Sequence, residues 1–182
     1  MSSKETLKVL NHWREAVPDD RLAHLIKDAT RALVRGLQMR LADHNVSFGH
    51  WTFLRILWEH DGLTQRELSE QAGVMEPTTF SAVKAMDLLG YVERRHLPRN
   101  RKNIHIFLTR SGRALKRKLV PLAEEVNAIG THGLTAAEIK VARKVLLTII
   151  ANMAEDEALA ESSERRIPST RELSRRINGM ST

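Results

Sequence analysis

Apolar residues recur along this chain at helical spacing in four long stretches. From Asp20 to about Asn45, Ile26, Leu33 and Leu37 repeat with Leu22, Leu25, Ala29 and Leu41 beside them, which predicts an amphipathic helix. From about Phe48 to His60, Trp51, Phe53, Leu54, Ile56, Leu57 and Trp58 cover most of the circumference. Only Thr52, Arg55 and Glu59 make a polar stripe, so this helix is expected to be a central strut buried against several neighbours. From Ser111, Leu115, Leu119, Leu122, Val126 and Ile129 step by three and four through a long helix that Pro121 is expected to kink or loosen. After a break at Gly130-Thr131-His132-Gly133, Ile139, Val141, Ala142, Val145, Leu146, Ile149 and Ile150 predict a last helix.

Between the second and third of these stretches the pattern shortens. Gly62 closes a helix. Thr64 with Glu67 has the spacing of a capping box, as does Thr135 with Glu138. A short helix Gln65–Ala72 ends at Gly73, and another opens near Pro77 and stops at Gly90. Ala82, Val83, Met86 and Leu89 form the inward face of the second, with Thr79 at its edge. Two short helices joined by a tight turn read as a helix-turn-helix. Two runs able to alternate as strands follow, Tyr91–Leu97 and Asn103–Thr109. Their Pro98–Lys102 tip makes a basic hairpin.

Charge sharpens this picture. The 182 residues carry a net charge of +7. Between Leu89 and Lys118 stand ten basic residues and one acid, Glu93, so that segment is +9 and the remainder −2. A field so concentrated attracts polyanions. Cysteine is absent, which excludes disulfides, thiol metal sites, a cysteine nucleophile and thiol peroxide sensing. His44, His50 and His60 form no i,i+4 pair and no HExxH motif, so neither a metal nor a cofactor is expected. Without a phosphate loop, a nucleophile elbow or paired carboxylates, an enzyme is not expected either. No apolar run approaches the ~20 residues of a membrane helix, and no leader is apparent, so the expectation is a cytoplasmic protein with no membrane partner.

The phrases Leu63-Thr64-Gln65-Arg66-Glu67-Leu68, Leu89-Gly90-Tyr91-Val92-Glu93-Arg94, Pro98-Arg99-Asn100-Arg101-Lys102 and Leu108-Thr109-Arg110-Ser111-Gly112 stand in one register. Over roughly residues 20–155 the chain resembles the multiple antibiotic resistance regulator (MarR) family. The resemblance implies a mainly α fold with a small β-wing, a winged helix-turn-helix at about 48–109 flanked by dimerisation helices at about 20–45 and 111–156. Residues 1–19 would then be an N-terminal extension and 157–182 a polar tail. Asn100 stands where the family wing usually has Asp, which implies a looser, more positive tip.

The expected DNA contacts are Pro77, Thr78, Ser81 and Lys84 on the outward face of the second short helix, with Phe80 or Ala85 available to a thymine methyl. Gln65 and Arg66 at the start of the preceding helix suit phosphates. Arg95, Arg99, Asn100, Arg101 and Lys102 belong to the wing, where arginine reads groove width. One recognition helix reads few base pairs, so a homodimer on a pseudo-palindrome of double-stranded DNA is expected, half-sites ~10 bp apart. Leu119, Leu122, Val126, Ile129, Val145, Leu146, Ile149 and Ile150 are its candidate interface. The resemblance further implies a repressor released by a small aromatic acid or phenolic effector. Arg40 and His44, continuing an inward stripe, are candidate carboxylate ligands, with Trp51 and Trp58 as aromatic walls. Arg31 and Arg35 suggest a larger anion such as an aromatic coenzyme A thioester. The competing reading is an architectural or ligand-independent DNA-binding protein, which would bind all sequences alike.

Overall fold

A computed structural model describes residues 7–12, 22–98 and 100–162, apart from the side chains of Asn100, Arg101, Lys102 and Glu161. Its elements are α1 (Leu22–Ala42), α2 (Phe48–Glu59), β1 (Leu63–Thr64), α3 (Gln65–Ala72), α4 (Glu76–Leu88), β2 (Val92–Leu97), β3 (Asn100–Leu108), α5 (Arg110–Gly130) and α6 (Ala136–Ser162). Residues 7–12 are also helical. The fold is mainly α with a small antiparallel sheet ordered β1-β3-β2, a winged helix-turn-helix with long helices before and after it.

The strut expectation holds. Trp51, Phe53, Leu54 and Leu57 of α2 are buried, and α2 packs on α1, α3, α4, α5 and β3. The core continues through Leu68, Val83, Met86, Val92, Ile106, Leu108, Leu119 and Val126. Each large side chain fully buried there is worth roughly 1.5–3 kcal/mol against leaving it in water. Both expected capping boxes are present, Thr64 with Glu67 and Thr135 with Glu138. A third, unanticipated one opens α2. The His50 amide donates to Ser47 Oγ at 3.1 Å, and the Ser47 amide donates to His50 Nδ1 at 3.5 Å. Histidine here fills the place usually held by Glu or Gln.

Several expectations are corrected. Leu89 is not inward. It is 44% exposed because α4 ends at Leu88 and Gly90, at φ 71°, turns the chain away. A two-residue strand, β1, pairs Leu63 with Ile106 and Thr64 with His105, and it is too short to leave a periodic signal. The wing's second strand begins at Asn100 rather than Asn103. Helix α5 spans Arg110–Gly130 with Pro121 inside it. Helix α6 continues to Ser162, beyond the expected limit at 156, since Glu157, Ala158, Leu159 and Ala160 are good helix formers. The chain divides into two compact units, Met1–Gly130 and Thr131–Thr182, on either side of the break that begins at Gly130. Residues 1–6, 13–21 and 163–182 lie outside the described residues, and with them most of the expected extension and tail.

Thr109 and Gly112 join wing to α5. The Thr109 amide donates to the Tyr91 carbonyl at 3.1 Å, its hydroxyl donates to the Gly90 carbonyl at 2.6 Å, and the Gly112 amide donates to Thr109 Oγ1 at 3.1 Å. A Cβ at Gly112 would lie 2.0 Å from the Tyr91 carbonyl oxygen. Trp58 Nε1 donates to the Gly112 carbonyl at 2.9 Å, bringing α2 to the same point.

Two predictions follow from these contacts. In an open helix Gly→Ala gains about 1 kcal/mol. Gly112→Ala is instead expected to lose about 1–3 kcal/mol, because backbone cannot yield as a side chain does; urea denaturation reads the sign. For α2, burial holds the His50 pKa below its usual value. The unfolded chain therefore binds the proton first, and the stability this cap contributes is complete above about pH 6.5 and lost as pH falls through the lower folded value. Protonation removes the acceptor and sets a cation at a helix start. His50→Gln, which keeps an acceptor, should gain in stability relative to the parent as pH drops from 7 to 5, measured by thermal midpoints.

Candidate nucleic-acid interface and effector cavity

The two short helices are locked by chemistry local to them. Glu67 Oε2 accepts from the Thr64 hydroxyl and amide, both at 2.7 Å, and these bonds, the hydroxyl's first, hold its carboxyl below the usual carboxylate range. Gly73 takes the left-handed conformation, φ 63°, that makes the turn. The buried hydroxyls of Ser69 on α3 and Thr79 on α4 meet at 2.8 Å, so the sequence's one polar inward residue on α4 is satisfied. With Thr79, Val83 and Met86 against the core, helical rotation turns Pro77, Ser81, Lys84 and Leu88 to the opposite side.

Pro77, Thr78, Ser81 and Lys84 are all exposed. The Ser81 hydroxyl donates back to the Pro77 carbonyl at 3.0 Å. Phe80 is exposed beside them, and Leu88, which sequence reasoning passed over, is 83% exposed. Gln65 is half-buried. Arg66 is exposed, and its Nε donates to Glu70 at 2.9 Å. Arg95 is bound twice, to Glu93 and over the Phe107 ring at 5.2 Å from its centroid. Arg99 lies outside the described residues, as do the side chains of Asn100, Arg101 and Lys102.

The basic field is partly compensated within the fold. Arg94 pairs with Asp87, Arg95 with Glu93, Arg113 with Asp61 and Lys116 with Glu59. Among the described residues, four cations of that segment are thereby tied down, a neutralisation hidden in sequence because three of the acids come from outside it.

A cavity of about 620 Å³ lies among α1, α2 and α5. Leu33, Leu37, Phe48, Trp51 and Val120 give it apolar walls, and Arg55, Glu59 and Lys116 line it as polar groups. Lys116 Nζ donates to Glu59 Oε1 at 2.8 Å and lowers the Glu59 pKa. Arg55 is exposed and has no ion-pair partner among the described residues. Of the four residues expected around an effector, Trp51 alone lines this cavity. Arg40 is spent on Glu125, at 2.9 Å, and on the Gly36 carbonyl. The His44 carbonyl accepts from Tyr91, and Trp58 packs edge-on against Trp51 while bonding Gly112. Arg55 was legible only as part of a polar stripe, since its cavity forms from three distant helices.

The expected interface residues divide. Leu119 and Val126 belong to the chain's own core, and Leu122 and Ile149 are half-buried. Ile129, Val145, Leu146 and Ile150 are exposed, between 42% and 64%. Among the described residues no helix is long and apolar enough to cross a membrane.

Residues 46–104 match the model of the MarR family. The chain is 29% identical over 150 residues to the HTH-type transcriptional regulator TtmR of Methylorubrum extorquens, covering 82% of this chain and 73% of that one. Its fold matches a MarR family regulator from Listeria monocytogenes complexed with 26mer DNA, with TM-score 0.69 and 24% identity over 83% of this chain and 99% of that one. It also matches Bordetella bronchiseptica BpsR, described for regulation of its DNA binding by 6-hydroxynicotinic acid, with TM-score 0.64 and 23% identity over 72% and 99% of the two chains. Family model, relative and fold agree with the capped helix pair and wing: residues 46–104 match a MarR-family domain, and the chain is similar to MarR-type transcriptional regulators in sequence and in fold.

Proposed function

We propose that this chain is a homodimeric, sequence-specific repressor of a pseudo-palindromic operator, released by a small aromatic acid, phenolic or aromatic thioester. The observation that carries the reading is the division of α4. Thr79, Val83 and Met86 are buried, while Pro77, Thr78, Ser81 and Lys84 stand exposed on a rigidly capped helix pair. A small, hydroxylated face of this kind fits a major groove about 12 Å wide. Homodimerisation is supported by the exposed aliphatic side chains of α6 and by Ile129, which a second copy would cover. The effector is supported by the cavity: apolar walls around Arg55, which has no ion-pair partner among the described residues, suit an aromatic carboxylate, and BpsR shows a heteroaromatic acid acting on a protein of this fold.

Selection of duplexes by the full chain from a random-sequence pool tests operator recognition. Recovery of an inverted repeat supports the reading, and equal retention of all sequences would favour an architectural role. Thr78→Ala and Ser81→Ala are expected to cost about 1–3 kcal/mol of discrimination at one or two positions of the selected site, with binding to scrambled DNA unchanged. Titration calorimetry with benzoate-type acids and their thioesters tests the cavity. Arg55→Ala should weaken a binding acid at least tenfold and leave operator affinity without ligand as in the parent.

A further inference from the structure

We propose that Arg94 grips a DNA phosphate between recognition helix and wing, and that Asp87 is the residue that positions it. The proposal rests on α4 and the wing being the DNA-reading elements.

Arg94 and Arg95 are neighbours on β2, but alternation sends them to opposite faces of the sheet. Arg94 lies opposite Ile106, on the face that carries buried Val92 and Ile106 toward the helices. From there its guanidinium reaches α4, where Nε donates to Asp87 Oδ2 at 2.8 Å. Arg95 turns the other way, and its own terminal nitrogen Nη2 is bound to Glu93 while the cation lies over Phe107. The two arginines thus differ in which nitrogens remain. Arg95 has spent a terminal nitrogen within its sheet. Arg94 is held by Nε alone, so both Nη groups, the fork that matches a phosphate, have no partner among the described residues.

Asp87 follows Lys84 by three residues and lies about 60° around the helix from it, at the edge of the outward stripe. The ion pair therefore bridges the helix that enters one groove and the hairpin that reaches the next. Neighbouring grooves of a duplex are separated by a phosphodiester strand, and a guanidinium tied to both elements overlies that strand. Stability gives Asp87 little reason to be there. The two side chains are 37% and 32% exposed, and pairs so open to water add little to folding. Bare electrostatics would disfavour it, since a carboxylate beside a polyanion repels. Orientation of the arginine is the role that remains.

Two substitutions that remove the same charge separate these accounts. Asp87→Asn keeps an oxygen that accepts from Nε, whereas Asp87→Ala does not. On the duplex selected by the parent protein, Asp87→Ala should bind several-fold more weakly despite the added positive charge, while Asp87→Asn stays within about twofold of the parent or binds tighter. Arg94→Ala should weaken binding about tenfold on selected and scrambled duplexes alike, and reduce the slope of log affinity against log salt by about 0.9. Adding Asp87→Ala to Arg94→Ala should cause no further loss, since the carboxylate acts through the arginine. The proposal is overturned if both Asp87 variants tighten binding equally, if Arg94→Ala leaves the salt slope unchanged, or if the double variant loses more than Arg94→Ala. A parent protein that retains no duplex would instead overturn the reading of α4 and the wing beneath it.

Discussion

The Tyr91 carbonyl and the α-carbon of Gly112 approach so closely that no side chain fits between them. Through that contact the hairpin, the central strut and the long helix after the wing become one rigid joint. Trp58 fixes α2 to it, Thr109 fixes the strand end, and Asp61 reinforces it, accepting from the Leu108 amide at 2.8 Å and from Arg113 at 2.6 Å. A helix-turn-helix and a wing reach a duplex together only if their mutual angle is fixed beforehand, since a freely hinged wing would lose its contacts to entropy.

The elements were legible because their causes are local. Thr64, Glu67 and Gly73 start and stop α3 through bonds within a few residues, so its limits are readable from one line of sequence. The four phrases in register carried the architecture as far as the wing. What sequence could not deliver was partnership between distant segments. Arg40, on an apparently inward stripe, is taken by Glu125 eighty-five residues away, and Arg55, an ordinary polar residue on its own helix, becomes a cavity cation only when α1 and α5 close around α2. Leu119 and Val126 have the same spacing as a dimer seam but fill the chain's own core. Periodicity reports that a face is covered and is silent on what covers it.

Electrostatics followed the same division. The excess of positive charge was visible as a count, yet Asp61, Glu59 and Asp87 lie outside the basic segment and discharge part of it. A cation's contribution to recognition depends on which of its nitrogens the fold has already occupied, a property of geometry rather than composition.

The sheet has consequences beyond recognition. With order β1-β3-β2, both outer strands present open backbone, and such borders invite strand-to-strand stacking between molecules. One border is only two residues long, and the other carries Glu93, Arg94, Arg95 and His96 in succession. The same side chains that make this hairpin attractive to nucleic acid therefore also keep it from templating its own aggregation.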